Sequence, residues 1–415
     1  MKSLIITNAS QVLTMEGAGW EPLKGDSQNH ISVLKGKSII VESGRIKGFV
    51  DDSKANATGE FHVVDAHGGV VMPGFVDSHT HIVYGGSRFE EFYQKLQGKG
   101  YLEILNSGNG IYRTVNDTHS AGEDEIFRES MGRVYDAVST GTTTMEIKTG
   151  YGLNTEEELK MLKVIERISS IGLVSVIPTF LPLHAVPRGR TEASYVDEVL
   201  GRMMPEFNGR ARFADSFCDN GAFSPDSTER FFMKAREAGF QIKMHADELG
   251  EIGCLDLLDK FKMISVDHLL ETGERGISKI KGSGCIANFL PITAFNIKDG
   301  KYPDIGKFQK EGIPFSIATD CSPVSCNASM LFAIYLAVRY CNVSIEAALN
   351  GATINGAFSV DESRNKGSIE IGKDADLLIL DARDYREIPY RYGSRLVSKV
   401  IRGGEIVYEN GSVRL

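Results

Sequence analysis

The stretch VVMPGFVDSHTHIVYGGSRFEEF, Val70 to Phe92, runs from an apolar segment through Pro-Gly and a second short apolar pair to two histidines one residue apart. In an extended strand, residues i and i+2 face the same way, so His79 and His81 project together while Thr80 turns aside. Two imidazoles on one face at the end of a buried strand are costly to desolvate unless something engages them. A metal ion is the natural partner, but two ligands make half a site, and the other half has to come from elsewhere in the chain.

Outward from that stretch, short β-branched runs recur between helix-like segments. In order they are VVMPGFVDSHTH, TTTMEIKTG, GLVSVIPTFLPLHA, ARFADSFCD, FQIKMHAD, KMISVDHLL, GCIANFLP and PFSIATDCS. Between them lie amphipathic stretches such as EDEIFRESMGRVYDAVST and TEEELKMLKVIERISSIG, the second with Asn154 placed to cap its start and Gly172 its end. Eight strands alternating with helices predict an α/β fold, a (β/α)8 TIM-like barrel over residues 70–357. A doubly wound open sheet is the rival, but no G-x-G-x-x-G follows a strand. Residues 1–69 and 358–415 are β-rich, with turns marked by Gly403-Gly404 and Asn410-Gly411. Neither end has the apolar sequence for a core of its own. Together they predict one small composite β-sandwich domain beside the barrel.

Barrel enzymes carry their chemistry at the carboxyl ends of the strands. There the first run ends in His79 and His81, the second in Glu146 and Lys148, the third in His184, the fifth in His245, the sixth in Asp267-His268 and the eighth in Asp320. Five of the nine histidines stand at such ends, where chance would scatter them. Three imidazoles, from His79, His81 and His245, with the Asp320 carboxylate make a nitrogen/oxygen donor set of the kind zinc or iron favours. Water at such a metal has its pKa lowered toward ~7, and Asp320 is placed to take its proton. Lys148 on the second strand reads as a structural ion pair.

Composition narrows the class. A net charge of -9 and a pI near 5.6, with no basic run, argue against nucleic acid. No window approaches the roughly 18 apolar residues of a membrane span, and MKSLIITNASQVLTMEG reads as a strand, not a signal peptide. The six cysteines are scattered without C-x-x-C, which predicts reduced thiols in a cytoplasmic enzyme.

PGFVDSHTH, HADE and ATD in this order, with GSIEIGKDADLLILD near the carboxyl end, resemble the metal-dependent amidohydrolase superfamily. TVNDT, TTTMEIKTGYGL, LHAVP, HADEL and DYREIPYRYG are similar to one branch of it. That branch opens the ring amide of 4-imidazolone-5-propanoate to N-formimidoyl-L-glutamate in histidine degradation. The resemblance implies one divalent or trivalent ion per chain, zinc or iron, on His79, His81, His245 and Asp320, and a homodimer acting on a small molecule. It implies that Arg88, Tyr151, His184 and Glu248 contact substrate and that Glu248 and His268 stand beside the attacked ring. Opening a cyclic amide requires an activated water, a donor for the developing oxyanion and a proton for the leaving nitrogen. Asp320, His268 and Glu248 fit those catalytic roles. A propionate tail suits a bidentate cation, and Arg88 follows His81 by seven residues.

Plainer readings compete. Arg88 has Glu90 and Glu91 beside it, His184 precedes a turn-like AVP, and Glu248 stands where acids favour a helix start. From Asp320 the chain reads DCSPVSC where that branch usually has Asn-Pro-Gly-Ser after the aspartate, so Ser322 replaces an amide and Val324 a glycine, with Ser325 completing the substrate-side set. SGNGI at 107–111 replaces a more glycine-rich run. The alternative activity is deamination of a heterocyclic amine, because His245-x-x-Glu248 serves that chemistry too. A catalytically dead scaffold would have lost a ligand, and all four are present.

Overall fold

The computed structural model describes residues 3–57, 61–98, 110–297 and 300–414. Eight strands pair in sequence order, every pair parallel. They are β1 (Phe75–Asp77), β2 (Thr142–Lys148), β3 (Ser175–Leu183), β4 (Phe213–Cys218), β5 (Gln241–Ala246), β6 (Met263–His268), β7 (Ile286–Phe289) and β8 (Phe315–Ile317). This is the predicted α/β barrel. Its last seam, β8 to β1, is the lightest. Instead of a ladder it has one bridge, Thr80 to Cys321, with His81 N donating to Cys321 O at 2.9 Å and Asp320 N donating to His79 O at 3.1 Å.

The helices follow their sequence signals. Thr155–Ile171 starts where the Asn154 side chain accepts from Glu157 N and stops at Gly172, whose φ of 79° is a conformation glycine adopts without strain. Its buried residues Met161, Leu162, Ile165 and Ile168 make one stripe against the barrel.

The remaining strands form two sheets. A seven-stranded sheet joins Ser412–Val413, Glu405–Glu409, Val397–Arg402 and Leu377–Leu380 from one end of the chain to Val70–Pro73, Gln11–Leu13 and Val33–Leu34 from the other. A four-stranded sheet of Arg45–Asp51, Lys37–Glu42, Leu4–Thr7 and His62–Asp65 covers it. Alternation assigns the faces. Val71, Leu377 and Ile379 meet Leu4, Ile6 and Val41 between the sheets, whereas Val70, Met72, Leu378 and Leu380 face the barrel core. The hairpins turn at Gly403-Gly404 and Asn410-Gly411, all four with positive φ.

Two sequence readings are corrected. Val70–Asp77 reads as one barrel strand, but the chain splits it at Gly74. Val70–Pro73 pairs antiparallel with Leu377–Leu380, and only Phe75–Asp77 enters the barrel. A strand buried on both faces reads as a continuous apolar run whichever sheet it joins. At the split, a Cβ on Gly74 would overlap the Thr143 side chain. The second correction concerns thiols. Cys218, at the end of β4, and Cys254 form a disulfide across a Cα separation of 5.9 Å, a span that a disulfide bridges readily. The other four cysteines are free, three of them buried. Of the SGNGI run, residues 107–109 lie outside the described residues.

Candidate active site

The four sequence-predicted ligands converge at the carboxyl end of the barrel. His79 Nε2 lies 3.1 Å from His81 Nε2, and His245 Nε2 lies 3.3 Å from the same atom. Asp320 Oδ1 stands 3.7 Å from His79 Nε2 and 3.6 Å from His81 Nε2. Burial, followed by the positive charge of Lys148 and the neighbouring imidazoles, pushes the His79 ring well below its ordinary pKa; burial, followed by His184 and His245, does the same for His81. Neutral rings with Nδ1 protonated aim their lone pairs at one another, a repulsive arrangement without a cation. Two donors each ~2.0–2.1 Å from one tetrahedral ion stand about 3.3 Å apart. The spacing and the chemistry of the donor set therefore fit a single metal ion.

Hydrogen bonds on the far side of two rings hold this geometry. His79 Nδ1 donates to Asp267 Oδ2 at 2.6 Å, and His245 Nδ1 donates to Asp215 Oδ1 at 3.1 Å. Such carboxylates fix tautomer and ring orientation. Behind them lies a fully buried charge network. Lys148 bonds Glu146 and Asp215, both at 2.8 Å, and Lys243 bonds Glu146 at 2.6 Å and Ser78 O at 2.9 Å. Lys148 is thus an ion-pair residue, as its sequence reading has it. The sequence reading missed Asp215, Lys243 and Thr293, and left Asp267 without a role. The Thr293 hydroxyl donates to Asp320 Oδ2 at 2.5 Å. A signal was present: Glu146-x-Lys148, Lys243-x-His245 and Ser265-x-Asp267 are polar pairs at strand spacing inside buried strands.

His268 and Glu248 complete this side. The His268 ring centroid is 5.1 Å from that of His245 and 5.3 Å from that of His79. Its Nδ1 is 3.7 Å from Glu248 Oε2. Both His268 (φ 80°) and Asp320 (φ 50°) hold the left-handed conformation, costly for such residues and typical of functional positions. Burial, with the Asp320 and Asp219 charges, holds the Glu248 carboxyl well above its ordinary pKa, and burial lifts Asp320 to about 6.

On the opposite side, His184 stacks on His81 with centroids 4.9 Å apart, and Tyr151 lies 5.0 Å from His184. Arg88 pairs with Glu91 through two bonds of 2.8 and 2.7 Å, yet its charge still bears on the Tyr151 hydroxyl. The plainer reading of Arg88 as an ion-pair residue is realised, in a pair whose side chains are nearly buried. Two Arg88 N–H groups face Glu91, and among the described residues the others remain for a ligand. Ser322 and Ser325 form a turn closed by Ser325 N donating to Ser322 Oγ at 3.3 Å, while Asn296 donates to Ser325 Oγ at 2.8 Å. Val324 is exposed. Among the described residues, neither serine has a hydrogen bond to a ligand residue. DYREIPYRYG, Asp384–Gly393, lies elsewhere: Tyr385 bonds Gln11 and Glu346, and Tyr392 stacks on Tyr335. That motif packs the composite sheet on the barrel.

Three imidazoles and a carboxylate at the carboxyl end of an eight-stranded α/β barrel define a metal-binding barrel enzyme. The chain belongs to the amidohydrolase family, whose model matches residues 70–407. Over 404 residues it is 42% identical to the imidazolonepropionase of Thermoplasma volcanium, covering 97% of this chain and 98% of the relative. Over 407 residues it is 44% identical to the imidazolonepropionase of Picrophilus torridus, covering 98% and 99%. Among solved structures, a zinc-bound adenosine deaminase from Xanthomonas campestris superposes with a TM-score of 0.74 at 16% identity, covering 99% of this chain and 94% of that one. A triazine hydrolase variant gives 0.77 at 16% identity, covering 100% and 96%. At that identity the structures bear on the fold alone.

Proposed function

We propose that this chain hydrolyses the ring amide of 4-imidazolone-5-propanoate to N-formimidoyl-L-glutamate. The observation that carries this reading is the 42–44% identity, over nearly the whole chain, to relatives named imidazolonepropionase. The clustered donor set supports it chemically. His79, His81, His245 and Asp320 would hold one zinc or iron ion, which supplies Lewis acidity and lowers the pKa of water.

The chain's own residues have distinct tasks. Asp320, with Oδ2 fixed by Thr293, takes a proton from the attacking water. His268 donates a hydrogen bond to the oxygen on which charge develops. Glu248, held protonated by burial, passes its proton to the ring nitrogen as the carbon–nitrogen bond breaks. Tyr151 and His184 form the wall against which the ring rests, and the free N–H groups of Arg88 receive the propionate. Ser322, Val324 and Ser325 shape the rim. Among the described residues no helix is long and apolar enough to cross a membrane. A homodimer in the cytoplasm belongs to the same proposal.

The test is an assay on metal-loaded protein with freshly prepared substrate, following absorbance, product mass and ammonia. Turnover to N-formimidoyl-L-glutamate, lost by at least about a thousandfold in Asp320→Asn, supports the reading. Ammonia release from a heterocyclic amine without ring opening would favour the deaminase alternative.

A further inference from the structure

We propose that Glu158, outside the catalytic cluster, is a positioning residue that sets the substrate-facing wall by gripping the 149–153 loop. The inference rests on the placement of Tyr151 and His184 against substrate given above.

Glu158 lies in the first turn and a half of the helix Thr155–Ile171 and is fully buried. The helix start is already capped by Asn154, whose side chain accepts from Glu157 N at 3.0 Å. The Glu158 carboxylate instead turns back over the preceding loop. Oε1 accepts from Gly152 N at 2.7 Å and Leu153 N at 2.9 Å, and Oε2 accepts from Gly150 N at 3.0 Å. Three backbone donors thus close on one carboxylate, the arrangement of an anion-binding nest with its anion built into the chain. A buried carboxylate is an expensive way to fill space, and an apolar side chain of that size would pack without the desolvation cost.

What the loop presents explains the expense. Tyr151 stands between two of the gripped amides. The carbonyl of Gly150 accepts from His184 Nδ1 at 3.1 Å. A carbonyl can only accept, so Nδ1 carries the proton and Nε2 of the neutral ring is left as an acceptor. The loop has no slack. A Cβ on Gly150 would sit 2.8 Å from His184 Nδ1, and one on Gly152 would overlap the backbone of Glu158. Gly150 (φ 117°) and Leu153 (φ 52°) both depart from ordinary backbone, a shape that needs an external hold. The chain of contact is Glu158 to Gly150 N, Gly150 O to His184 Nδ1, and His184 to the wall.

Glu158→Gln keeps shape but cannot accept from all three amides, because its amide nitrogen has no lone pair to offer. In zinc-loaded protein labelled with 15N-histidine, this variant should lose the single Nδ1–H tautomer of His184. It should also raise KM for the imidazolone substrate at least about tenfold, with kcat moved less than about threefold and metal still one per chain. Glu158→Asp, with the charge but a shorter reach, should shift both readouts in the same direction by less. Glu157→Gln, one residue away with its carboxylate paired to Lys160 while Glu158 takes the loop amides, should leave both unchanged. A folded Glu158→Gln with wild-type KM and an unaltered His184 tautomer overturns the proposal. So does a loss of metal with KM unchanged, which would mark Glu158 as part of the metal support. If the wild type does not turn over the imidazolone, the proposed function fails, while the tautomer comparison still decides the role of Glu158.

Discussion

The three imidazoles proposed as ligands are not equivalent. His79 and His245 each donate Nδ1 to a buried carboxylate, whereas His81 Nδ1 is buried with no hydrogen-bond partner among the described residues. Asp267 is further pinned by Ser265, whose hydroxyl donates to Oδ1 at 2.6 Å. Losing the carboxylate behind His79 frees the ring to turn and removes the charge that makes its nitrogen basic. Asp267→Asn should therefore weaken zinc binding by about 10–100-fold, measured by competition with a chelator of known affinity. An unchanged affinity would show that the barrel walls alone orient His79. His79, His81, His245 and Asp320 are legible because strand-end position and i, i+2 spacing say which way they face. Asp215 and Asp267 obey the same alternation, but alternation says only that a side chain points into the barrel. Which imidazole it meets depends on the stagger between neighbouring strands, such as the pairing of His245 with Asp267 and of Phe217 with His245. One strand's sequence does not contain that stagger.

Among the elements, the helix Phe89–Leu96 inverts the usual rule. Phe89, Phe92, Tyr93 and Leu96 recur at helix spacing and are all more than half exposed, while Glu91 is the residue it buries. Period gives the residues that share a face, not the side of the element that meets the body. Here polar contacts decide it: Glu91 accepts two bonds from Arg88, one from Gly110 N at 3.1 Å, and an ion pair with Lys95 at 3.2 Å. Breaking a nearly buried pair by removing one partner typically costs about 3–5 kcal/mol, so Glu91→Ala should lower unfolding free energy by roughly 3 kcal/mol. Phe92→Ser, on the outer face, should change it by no more than about 0.5 kcal/mol. Urea titration of both variants checks the order, and the reverse order would mean that the apolar face is the anchoring one. Elements with two independent signals were easier to read. Thr155–Ile171 has period and both caps, and the hairpins at Gly403-Gly404 and Asn410-Gly411 have alternation and turn chemistry. Val70–Pro73 has only its apolar run, which suits either neighbouring sheet, and one of its two partners is over three hundred residues away.

At the level of the whole molecule, the segments that carry the proposed ligands also close the barrel. Seven strand junctions are parallel ladders, but the eighth is made by the segments that carry His79, His81 and Asp320. Asp77 helps from below, accepting from Thr319 N at 3.0 Å and from its hydroxyl at 2.6 Å. His79 and His81 on one side and Asp320 on the other would hold a cation across that seam, with His245 reaching it from the far wall. Metal bound a thousandfold above its Kd adds about 4 kcal/mol to stability, whichever part of the molecule receives it. The topology says where the gain is felt. Chelating the metal should lower the melting temperature by several degrees, and hydrogen exchange should localise the loss. The amides of His81 and Asp320, which bond across the seam, should lose protection first. The ladder between β4 and β5, on the other side of the barrel, should keep its protection until global unfolding. Equal loss at both places would mean that the ion stabilises the fold as a unit and that the seam is already closed without it. Loss confined to the seam would make the metal a structural clasp as well as a reagent, because the strands that must meet to close the barrel are the ones that bring its ligands together.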